Sequence, residues 1–294
     1  MTAGLLVKSL DNLYCSAILL AHDLKLGRAR NYLEELEALT ERWAKVDGYT
    51  IRVNPDPKPP SYIVRAEEIK PPDSSLPLLI GDFLYNARAS LEYVAYALNG
   101  GGKMTPKQAE RSGFPIVGDV DRDGFSGRGP DMFDSTAGHK LATATSEARA
   151  AVKRLQPFEE GDLWNYAELW TLNELARIDR HRSLHFGAVR NESVELDRSR
   201  SRNIKVERIE VIRGTIDPEN KDSANLAKVL AHPANPKEKM HMHFTNGLAI
   251  TLDTKGAVRV VDGEEVAWAM RGIFGYTEDA IRALRQYLPD PPKQ

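Results

Sequence analysis

The chain has 294 residues, 41% of them hydrophobic and 28% charged, with a formal net charge of −2. This is an ordinary balance for a globular protein with a sizeable core, and it excludes whole-molecule electrostatic attraction to nucleic acid or to an acidic membrane. A single cysteine, Cys15, excludes an intrachain disulfide; no apolar stretch is long enough to span a bilayer, and the start MTAGLLVKSLDN lacks the pattern of a secretion signal, so a cytoplasmic location is expected.

Residues 4–47 repeat apolar positions at three- and four-residue steps and read as helical, with Gly27 a candidate break. Cys15, set among Leu13, Tyr14, Ala17 and Ile18, reads as a small core residue. Residues 49–54 and 62–67 alternate like two strands around the connector PDPKPP. The segment PPDSS marks the start of a helix, Leu79–Leu98, that stops at NGGG, residues 99–102. Residues 103–134 read as a long surface loop anchored by Phe114-Pro115-Ile116. A helix over about 137–154 closes at Pro157, and another runs over Leu163–His185.

Beyond His185 the period changes to two. Segments 187–196, 203–212, 224–230, 240–244, 248–252 and 257–261 read as strands, and a last helix covers about 264–288 with candidate breaks at Gly272 and Gly275. The expected fold class is α+β in one domain over 1–294. Its helical part is about 1–185, its antiparallel sheet about 186–262, and its closing helix about 264–288. The strand pair in 49–67 is placed to join the later sheet.

Two of these helices carry polar residues within apolar faces. In LLIGDFLYNARASLEYVAYAL, Arg88 and Glu92 share one edge of the apolar stripe, and Asp82 and Asn86 lie toward the other side. In LWTLNELARIDRHRSLH, Asp179 falls on the face of Leu172 and Leu175, with Arg182 on its edge. Glu174, His181 and His185 fall roughly opposite. Buried charges need partners. Asp179 is therefore expected to pair with Arg88, and Arg182 with Glu92 or Asp82, as a structural polar network. Arg180, His181 and His185 are expected to look away from it and to be available for chemistry.

These segments, with FPI and LQPF, resemble a family of bacterial and in part phage-associated proteins without an assigned activity. That family carries GD-x-LHN-x-R-x-x-LDH and, later, DKHR. Gly81, Asp82, Asn86, Arg88, Leu91, Asp179, His181 and Arg182 match; Tyr85, Glu92-Tyr93 and Arg180 depart from it. The resemblance implies that the two segments belong together.

Arg180-x4-His185 is also similar to the active motif of HEPN-type helical ribonucleases. That similarity implies metal-independent RNA cleavage, with a histidine moving the 2′-hydroxyl proton, the arginine stabilising the phosphorane, and a homodimer closing over 177–185. The bland alternative is a basic helix end that complements the helix dipole. A further reading is a metal site from His181 and His185, four apart on a helix, with His241 and His243 on a strand. A non-enzymatic adaptor for a protein or a nucleic acid, using the sheet and the 198–208 loop, is the last: Arg198, Arg200, Arg202 and Lys205 form a candidate nucleic-acid surface or a plain solvated loop. No phosphate-loop or Gly-x-Ser-x-Gly motif is present, Asp119, Asp121 and Asp123 fail the EF-hand pattern, and no cofactor is expected.

Overall fold

A computed structural model describes residues 3–58, 60–101, 104–118, 129–181, 185–212, 215–216, 223–254, 258, 261 and 264–289. The fold is α+β, and every strand pair among the described residues is antiparallel. Helix α1 (Ala3–Arg42) passes Gly27 unbroken and widens into a π-turn at Trp43–Asp47. A side chain at Gly27 would meet nothing within 4 Å, so this glycine sits in open space and its weak helix propensity is overridden by packing on the other face. That face buries Leu26, Ala29, Leu33 and Leu36.

Strands β1 (Thr50–Pro55) and β2 (Ser61–Glu67) form the expected hairpin. Helix α2 (Leu76–Leu98) is the centre of the helical layer: Ile80, Phe83, Leu84, Ala87, Leu91 and Val94 are fully buried. The stretch expected to be loop contains α3 (Pro106–Arg111), started by a Thr105/Gln108 capping box with proline at the first turn. The helix expected over 137–154 is two, α4 (Gly129–Lys140) and α5 (Ser146–Lys153).

The second polar helix is shorter than its periodicity suggests. Residues Pro157–Tyr166 form 3-10 turns kinked at Gly161, and α6 spans only Glu168–His181. His185 opens strand β3 (His185–Leu196), and its Cα partner is Asp253.

Among the described residues, the strands make two sheets rather than one. The first has the order β1-β2-β6-β4, with β4 at Ile204–Val211 and β6 at Ser223–Pro233. The second has the order β5-β3-β7, with β5 at Thr215–Ile216 and β7 at Phe244–Asp253. The hairpin joins the first sheet through β2. Residues 240–243 hold only the bridge Arg202↔His241, and the described positions 258 and 261 lie outside strands.

Helix α7 (Val266–Leu284) runs through Gly272 and Gly275. It packs antiparallel to α1, with ion pairs Asp23–Arg285 at 2.6 Å, Arg30–Glu278 at 2.6 Å and Glu37–Arg271 at 2.8 Å. Each rung is seven residues from the next on both helices, which returns it to one face every two turns. Among the described residues, no helix is long and apolar enough to cross a membrane.

Candidate functional site

Helices α2 and α6 do not close against each other along their whole length. Between them lies a cleft of about 740 Å³, walled by Gly81, Tyr85, Arg88, Glu92, Tyr93 and Tyr96 of α2 and by Asn173, Ala176, Asp179 and Arg180 of α6. Ser112 and Lys140 complete it.

Arg88 is the most enclosed of its charges, with 18% of the side chain exposed. Its Nη2 lies 2.7 Å from Glu92 Oε1 and donates to the Phe114 carbonyl at 3.0 Å. Its Nη1 is buried with no hydrogen-bond partner. Burial pushes the Arg88 guanidinium below its ordinary value; the Arg180 charge acts in the same direction and Glu92 opposes both.

Glu92 also fixes the loop over the cleft. Its Oε2 accepts the Phe114 backbone N–H at 2.8 Å. A methyl group on residue 113 would lie 2.7 Å from that oxygen, so Gly113 is what lets the backbone come so close. The apolar anchor at Phe114 is thus held by an ion-paired carboxylate as well as by packing.

Lys140 reaches the cleft from the C-terminal end of α4. It is placed there by Asn99, a buried residue at the end of α2. Asn99 Nδ2 donates to the Lys140 carbonyl at 2.7 Å and to Ser112 Oγ at 2.9 Å. Its Oδ1 accepts from Thr143 N and Ala144 N, both at 3.1 Å. Burial lowers the Lys140 ammonium from its ordinary value, with Arg88 acting in the same direction and Glu92 opposing.

At the other end of the cleft, Asp179 meets the bare backbone of Gly81. A methyl group there would lie 2.8 Å from Asp179 Oδ2 and 3.0 Å from Oδ1. Burial raises the Asp179 carboxyl above the usual range, and the neighbouring Asp82 charge raises it further.

Several expectations need correction. Arg88 and Asp179 line the same cleft but form no ion pair; Arg88 takes Glu92, four residues along its own helix, instead. Arg180 does not look away, but shares the cleft with Arg88, and its Nε donates to the Ala176 carbonyl at 3.1 Å. Asp82 is exposed. Asn86 turns toward α1, where Lys25 Nζ donates to its Oδ1 at 3.3 Å, and its Nδ2 caps the Asp82 carbonyl at 2.7 Å. Glu174 is buried and paired with Arg177 at 2.8 Å.

Arg182 and the side chains of His181, His185 and Cys15 lie outside the described residues. The helical spacing assumed for His181 and His185 does not form, because a strand begins at 185. His241 and His243 are exposed on a loop before β7. Among the described residues, no three His, Cys, Asp or Glu side chains are grouped to hold a metal. Arg198, Arg200, Arg202 and Lys205 are all exposed. Lys140, Asn99 and the cleft tyrosines were missed by periodicity, which ranks residues along one element and not across three.

No protein-family model, curated protein or solved structure matches the chain.

Proposed function

We propose that the α2–α6 cleft binds a phosphate-bearing ligand with an aromatic ring, the chemistry of a nucleotide or of an RNA end. The observation that carries this is the gathering of three cations, Arg88, Lys140 and Arg180, around one cleft whose two carboxylates are Glu92, already paired with Arg88, and Asp179. Like charges held together repel, and an anion between them relieves that cost. Tyr85 and Tyr93 are 63% and 38% exposed on the same wall; Lys25 Nζ stands 4.7 Å over the Tyr85 ring, and Tyr93 offers a surface for a ring. The cleft volume suits a ligand of that size.

Titration calorimetry with adenosine, AMP and ADP tests the reading. AMP and ADP bind and adenosine does not; Lys140→Met and Arg180→Ala each weaken AMP by at least about tenfold, the loss of one charge-assisted contact. Equal affinity for adenosine and AMP sinks the phosphate reading.

RNA cleavage is a second reading, supported by Arg180 lining the cleft. In it, a histidine at 181 or 185 takes the 2′-hydroxyl proton as the ribose 2′-oxygen bonds to phosphorus, the bond from phosphorus to the 5′-oxygen breaks, and the departing 5′-oxygen takes a proton from solvent water. The products are a 2′,3′-cyclic phosphate and a 5′-hydroxyl end. Undiminished cleavage by the Arg180→Ala/His185→Ala double variant rules it out, and binding without any product leaves the adaptor role.

A further inference from the structure

A net charge of −2 leaves room for local groups of cations, and two loops of the sheet region carry them. The loop between β3 and β4 exposes Arg198, Arg200 and Arg202 and leads to exposed Lys205. The loop between β6 and β7 exposes Lys237 and Lys239. Only the first loop stands out in the sequence; the fold adds the second.

The two loops are stitched together. Asp197 N donates to the His243 carbonyl at 2.8 Å, and Arg202 and His241 exchange backbone hydrogen bonds at 3.0 and 3.1 Å. Asn203 Nδ2 donates to the Asn235 carbonyl at 3.1 Å. The acids in these loops serve the turns themselves. Asp197 Oδ1 accepts from Ser199 Oγ at 2.6 Å, which holds its carboxyl below the usual range, and Glu238 accepts from Asn235 Nδ2 at 2.8 Å. No ion pair among the described residues engages any of the six cations. They are therefore presented on a pre-ordered backbone, where Arg200 lies near enough to Asp197 to help lower that carboxyl but makes no ion pair with it.

We infer that these two loops form one surface that grips the sugar-phosphate backbone of single-stranded RNA. His241 and His243 stand exposed beside the cations and offer rings to unstacked bases, which a duplex does not present. A lipid surface fits less well, because none of the large exposed apolar side chains lies in either loop and interfacial binding needs an apolar face. The inference is independent of the cleft, since it uses none of its residues.

Fluorescence anisotropy of a labelled oligouridylate, measured against salt, is the test. Each contacted phosphate contributes about −0.7 to the slope of log K against log salt, so full engagement of the loops gives about −4. Lys237→Gln/Lys239→Gln and Arg198→Gln/Arg200→Gln each flatten the slope by about 1.4. Arg271→Gln, on α7, leaves it unchanged. Wild-type protein with a slope shallower than about −1, a measurement that needs no variant, overturns the proposal. So does unchanged binding by both loop variants, and so does salt-sensitive binding to phosphatidylserine vesicles with none to the RNA.

Discussion

Gly81 and Asp179 meet as a bare backbone and a carboxylate with almost no space between them. Gly81→Ala pushes a methyl group into that carboxylate, and thermal unfolding is expected to show a loss of about 1–3 kcal/mol, typical of overpacking. Adding Asp179→Ala removes the obstacle, so the double variant recovers most of the loss; additive losses place the fault elsewhere. Asp179 itself is a carboxyl whose folded pKa lies above the unfolded one, chiefly through burial. Folding then takes up a proton in the window between those values. The ionised form costs stability above the folded pKa, and that cost fades as pH falls through it. Asp179→Asn is therefore expected to raise Tm at neutral pH, with the gain shrinking toward about pH 4, near the ordinary aspartate value. A gain that grows on acidification reverses the sign and refutes this account. Glu92→Ala removes the ion-pair partner of Arg88, which keeps the Phe114 carbonyl, and the acceptor of the Phe114 N–H; urea unfolding should report a loss of about 1–3 kcal/mol, and Glu92→Gln, which keeps the acceptor for Phe114, should lose less.

At the scale of elements, Asn99 joins the end of α2 to the end of α4 and to Ser112, and so sets where Lys140 stands. Asn99→Ala leaves the Thr143 and Ala144 N–H groups without their acceptor, and a stability loss of about 3 kcal/mol is expected. In the sequence Asn99 reads only as the residue before a glycine stop. Its partners are 13, 41, 44 and 45 residues away, and no spacing rule reaches them. The polar centre of α2 was legible for a local reason: Arg88 and Glu92 sit at helical spacing in an apolar run. At one position of α6 the spacing itself argues against the expected facing: Ala176 and Arg180, four residues apart, share one face of the helix, and both line the cleft. The end of α6 at His181 removes the helical spacing of His181 and His185 but does not turn Arg180. The α1–α7 ion pairs are a register device more than a source of stability, because exposed pairs contribute about 0–1 kcal/mol each. Glu37→Arg and Arg271→Glu singly juxtapose like charges; together they restore the rung, and Tm returns toward wild type.

The whole molecule is organised by its strand order. The α+β class was legible from the change of period after His185, but the division into two sheets was not, since alternation says which side chains share a face and nothing of which strand is the neighbour. That order has a consequence for synthesis. Strand β2 pairs with β6, and Ser61↔Leu230 and Glu67↔Ser223 bracket a separation of roughly 160 residues. At about 5–20 residues per second, the ribosome takes about 10–30 s to deliver β6 after β2 has emerged. For that interval the β1–β2 hairpin carries an unsatisfied edge, and hairpins alone are marginal in water. The nascent chain is thus obliged to wait with its first sheet half built, and helix α1 waits longer still for α7. Slow, late-forming partners of this kind are the part of the chain on which a holding chaperone has most to act.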